Sequence, residues 1–124
     1  MPKAIVDAAK GLYQTAGAGL ILNSGSPLIV SYESVSIAAA ATGNADADKL
    51  VHLISVTSAG SAATLQLPTS GVAAGTIKII MVVADAGAGL TVDGGATSQT
   101  SLGANDLVVA IFDGTDWQLG AGAV

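Results

Sequence analysis

Leu107-Val108-Val109-Ala110-Ile111-Phe112-Asp113-Gly114-Thr115-Asp116-Trp117-Gln118-Leu119 decides the fold class. Leu107 to Phe112 is an apolar, β-branched run of strand length. Asp113-Gly114-Thr115-Asp116 is a compact hairpin signal, because aspartate and glycine accept the backbone angles that tight turns require. Trp117-Gln118-Leu119 then returns antiparallel.

The same alternation of strand and turn extends back from this hairpin. Gly103-Ala104-Asn105-Asp106 is a turn, and Ser98 to Ser101 is a brief strand. Leu90-Thr91-Val92 is a short strand, set off by Asp85-Ala86-Gly87-Ala88-Gly89 on one side and Asp93-Gly94-Gly95 on the other. Thr76 to Val83 is the longest and most apolar run, and its continuity predicts burial on both faces. Thr64 to Leu67 alternates until Pro68 stops it, and Leu50 to Thr57 alternates around β-branched residues. Leu28 to Tyr32 and Val35 to Ile37 extend the pattern. Ala38 to Ala41 is ambiguous by propensity; its surroundings favour strand, with the turn placed at Thr42-Gly43-Asn44. Short strands separated by glycine-rich turns predict an all-β domain, an antiparallel sandwich or barrel of jelly-roll-like form. No helical, heptad or solenoid repeat is visible.

Residues 1–27 differ from this pattern and are read as an N-terminal arm preceding a β-domain over residues 28–124. Ala4, Ile5, Ala8, Ala9 and Leu12 have a rough helical period that Gly11 interrupts, so a short helix and an extended arm are both open. Leu20-Ile21-Leu22 is too apolar for a free tail and is expected to dock on a sheet or a neighbour.

Composition narrows the function classes. Charged residues make up 10% of the 124 residues, against about 25% in ordinary soluble domains. The basic residues are Lys3, Lys10, Lys49 and Lys78, with no arginine, and the net charge is −5. Such a chain lacks the basic footprint of a nucleic-acid binder and the basic face that anionic lipid attracts. The run from Ile77 to Ala84 is far too short to span a membrane. Met1-Pro2-Lys3 followed by Asp7 and Lys10 leaves no apolar segment for a signal peptide. With no cysteine, disulfides and thiolate metal sites are excluded. A surface poor in ionised groups is expected to be covered partly by other subunits.

The candidate chemical residues have structural readings. A calcium or sugar contact is one reading of Asp113 to Trp117, but a hairpin whose indole closes one end of the core fits better. Trp117 and Phe112 are therefore expected to be structural. Asp46 and Asp48 lack the further oxygen ligands of a calcium loop. Asp85 and Asp93 are read as turn-capping carboxylates. His52 lies in an apolar strand without an evident carboxylate partner and is read as a structural or interface histidine. It would become pH-sensitive if three copies met at an axis. Gly87-Ala88-Gly89 and Gly94-Gly95 precede short strands rather than helices, so they are not phosphate loops. No nucleophile–base pair, metal site or cofactor is expected, and the chain is not read as an enzyme.

The order Leu65-Gln66-Leu67-Pro68, Gly75-Thr76-Ile77-Lys78-Ile79-Ile80, Leu90-Thr91-Val92, Leu107 to Phe112 and Phe112-Asp113-Gly114-Thr115-Asp116-Trp117 resembles β-rich surface proteins of tailed-bacteriophage virions. These include head decoration proteins, head fibres and tail-fibre modules. The resemblance covers a little under half of the chain. It implies a structural protein that decorates or cements the outside of a capsid, on the virion surface, as a homotrimer. The arm, through Leu20, Ile21 and Leu22, would contact the major capsid protein. The alternative is a receptor- or carbohydrate-binding module of a fibre or adhesin.

Overall fold

The computed structural model describes Ala4–Asp7, Gly11–Gln14 and residues 29–122. The described residues are all-β. Strands β1 (Ala4–Asp7) and β2 (Gly11–Gln14) form an antiparallel hairpin of their own, with Ile5 facing Tyr13 and Val6 facing Leu12. Over these residues the chain is a hairpin and not a short helix.

Nine further strands follow: β3 (Tyr32–Ile37), β4 (Thr42–Asn44), β5 (Val51–Val56), β6 (Ala63–Gln66), β7 (Ile77–Asp85), β8 (Leu90–Asp93), β9 (Ser98–Leu102), β10 (Leu107–Phe112) and β11 (Trp117–Gly122). They make a five-stranded sheet, β11-β10-β7-β5-β3, and a four-stranded sheet, β4-β6-β8-β9. The chain alternates between the two. β3, β5 and β7 lie parallel in one sheet, while the intervening β4, β6 and β8 lie parallel in the other. This part of the chain is therefore wound in successive coils. The C-terminal strands close it with antiparallel pairs: β8 with β9, β7 with β10, and β10 with β11.

Both sheets are thus mixed rather than antiparallel, and neither closes into a barrel. Glycine-rich turns at short spacing serve the corners of a coil as well as they serve hairpins. No repeat marks the coils because they are unequal: Tyr32 faces Val51, but Val51 faces Ile79.

The inward faces of both sheets share one core, including Ile54, Ile80, Val108 and Trp117 from the larger sheet and Leu65, Leu90 and Val92 from the smaller. β7 is buried on one face only. Its register turns Lys78, Ile80 and Val82 inward and Ile77, Ile79 and Met81 outward, and among the described residues no further layer lies on the outer side. Between β3 and β4 the alanine run makes the turn, with Ala40 at a φ of 57°, and Thr42–Asn44 is the strand. Gly43 belongs there sterically: a Cβ would lie 2.8 Å from Ile37 Cδ1. The run before β3 is not strand over residues 29–31.

Aspartates hold the turns. Asp85 Oδ1 accepts the N–H groups of Gly87, Ala88 and Gly89, which keep its carboxyl below the usual carboxylate range. Asp93 Oδ1 accepts from Gly95. Asp113 Oδ1 accepts from Thr115 and Asp116, and its Oδ2 accepts from the Gln118 amide.

Candidate functional site

Two features stand apart from ordinary packing: a polar cluster inside the core and an apolar face outside it. The cluster begins with Trp117, which is fully buried with its ring 5.2 Å from that of Phe112. Its Nε1–H donates to the Pro68 carbonyl at 2.8 Å. Lys78 Nζ lies 5.9 Å from the indole centroid. Lys78 is itself fully buried, and Nζ donates to the carbonyls of Asp46 (2.7 Å), Ala47 (3.2 Å) and Lys49 (2.6 Å). One ammonium thus uses its three protons to tie the β4–β5 connection down onto the core.

Glu33 completes the tie. It stands directly across from His52 in the β3–β5 ladder. Its Oε1 accepts the Asp46 N–H at 2.9 Å and contacts His52 Nδ1 at 2.5 Å. His52 is also fully buried, and its Nε2 has no hydrogen-bond partner among the described residues. Burial lowers the His52 pKa; Lys78 pushes the same way and Glu33 opposes it. Burial likewise lowers the Lys78 pKa, against the pull of Glu33, Asp46 and Asp48. Neither the imidazole nor the ammonium reaches solvent, and the cluster fastens the β4–β5 connection. Among the described residues, no group of three or more His, Cys, Asp or Glu is placed to hold a metal ion.

His52 therefore does have a carboxylate opposed to it. Glu33 lies one coil earlier, and a parallel pairing over that distance leaves no local sequence signal. Lys78 was equally hidden, since an apolar strand with one lysine normally turns that lysine outward. Leu20, Ile21 and Leu22 lie outside the described residues.

The second feature is the outer face of the five-stranded sheet. Its centre is formed by Leu107, Val109 and Ile111 on β10, which face Met81, Ile79 and Ile77 on β7. Val51 and Leu53 on β5 face Ile79 and Met81 from the other side. Tyr32, Ser34 and Ser36 on β3 and Gln118 and Gly120 on β11 flank them. Ile77 and Ile111 are each 47% exposed, Val109 is 39% and Tyr32 is 62%. None of these positions carries a charge. The outer face of the four-stranded sheet is built differently, from Thr42, Asn44, Thr64, Gln66, Thr91 and Asp93.

The chain matches no protein-family model and no curated protein. Its function must therefore be read from its own surface. Threonine, glutamine and aspartate are what a solvated sheet face ordinarily carries, and the smaller sheet has them. The larger sheet presents isoleucine, valine, leucine and methionine in a contiguous patch that a solvated sheet face does not ordinarily carry. Among the described residues, no helix is long and apolar enough to cross a membrane.

Proposed function

We propose that this chain is a structural protein of a tailed-bacteriophage virion that decorates or cements the outside of the capsid. In this reading it assembles as a homotrimer on the capsid surface. Residues 1–27 act as the arm, with Leu20, Ile21 and Leu22 meeting the major capsid protein. The two sheets stack as a sandwich, wound in coils where a jelly-roll would run antiparallel.

The observation that carries the reading is the uncharged apolar face on a chain of net charge −5. Its polar side chains are used in turns and in fastening one loop, which suits a rigid building element. The cadence from Leu65 to Trp117 supplies the virion context. The alternative, a receptor- or carbohydrate-binding module, would need rings exposed for stacking; Trp117 and Phe112 are buried, and among the described residues 29–122 Tyr32 is the one exposed ring.

The test is co-sedimentation with undecorated shells assembled from the major capsid protein of the same genome. The full chain is expected to bind, and a chain lacking residues 1–27 is expected to stay folded and lose binding. No binding by the full chain overturns the capsid role; unchanged binding by the shortened chain overturns the arm.

A further inference from the structure

We infer that the outer face of the five-stranded sheet is where a second copy of this chain docks. The inference names the surface through which the assembly proposed above would form, and it rests on that reading only for its context.

Two features of the face favour a like partner. First, the face is electrically silent while the chain carries a net charge of −5. Copies of an acidic chain repel one another, and the repulsion is least where the meeting surfaces hold no charge. A basic partner would instead be drawn to the acids in the turns. Second, the area suffices. The exposed parts of Ile77, Val83, Leu107, Val109, Ile111 and Tyr32, with their half-buried neighbours, present on the order of 600 Å² of apolar surface, close to the roughly 800 Å² per partner of a standard interface.

Multi-angle light scattering and sedimentation of the full chain test this. The wild type is expected at a multiple of the single-chain mass. Val109→Lys places an unpaired charge in the contact and is expected to weaken association by about 100-fold or more, leaving a folded single chain. Thr91→Lys, on the outer face of the other sheet, is expected to keep the wild-type mass. Should Val109→Lys fail to fold, Val109→Thr combined with Ile111→Thr keeps β-branched side chains on the strand and is read in its place. A single-chain wild type overturns the inference, and would follow if residues 15–28 of the same chain covered the face. A folded Val109→Lys or double-threonine variant with unchanged mass overturns it too. Association without shell binding leaves the interface standing and removes the capsid role; shell binding by a single-chain protein does the reverse.

Discussion

Replacing Trp117 with alanine removes the largest fully buried side chain of the core. The change deletes the ring packed 5.2 Å from Phe112 and strands the Pro68 carbonyl that the indole N–H satisfies at 2.8 Å. It also strips one wall from the site of the buried Lys78 ammonium. The room is not easily refilled, because Gly94 sits against the Trp117 Cβ and brings no side chain of its own. The expected cost is about 3–5 kcal/mol for the lost ring and its cavity. At about 3–5 °C per kcal/mol for a chain of this size, Tm falls by about 9–25 °C. Trp117→Phe separates the two contributions. It restores most of the apolar contact and leaves the carbonyl unpaired, so a loss of about 1–2 kcal/mol is expected. Urea denaturation followed by circular dichroism measures both variants, and indole fluorescence follows the wild type, which has a single tryptophan. A Trp117→Ala cost below about 1 kcal/mol, or equal costs for the two variants, would refute the account of how this end of the core is packed.

Two more perturbations probe the interior. Unfolded, His52 takes up a proton near pH ~6.5; folded, burial and Lys78 delay that uptake to lower pH while Glu33 partly opposes them. The unfolded chain then binds more protons, so the contribution is fully present above that range and is lost as the pH falls through it. Thermal melts between pH 7 and pH 5 are expected to show falling stability in the wild type and a flatter profile in His52→Leu; parallel profiles would exclude the histidine. Gly94→Ala would put a Cβ 2.8 Å from the Trp117 Cβ and 3.2 Å from the Thr97 and Trp117 carbonyls. Chemical denaturation is expected to show a loss of about 1–3 kcal/mol, since the backbone itself must move.

How much of this was legible in the sequence depended on how far apart the cooperating residues lie. The β10–β11 hairpin was, because Asp113 to Asp116 and both flanking strands form one short stretch. The capping roles of Asp85 and Asp93 were legible for the same reason, since each bonds to amides only a few residues ahead. The winding was not. It depends on Tyr32 meeting Val51 and Val51 meeting Ile79, and coils of unequal length leave no period to detect. The facing of β7 was misread because a continuous apolar run looks the same whether or not its second face is covered. Glu33 against His52, and Lys78 against three carbonyls, depend on pairings a full coil or more apart.

That winding also bears on how the chain acquires its structure. The parallel pairs among β3 to β8 form only after an intervening strand has been laid in the opposite layer, so each closes a long loop against chain entropy. The antiparallel hairpins β8–β9 and β10–β11 close across residues 94–97 and 113–116 alone. Loop-closure entropy therefore favours these two hairpins as the earliest pairings within residues 29–122. The contacts that lose least entropy on closure thus come after the coils in chain order.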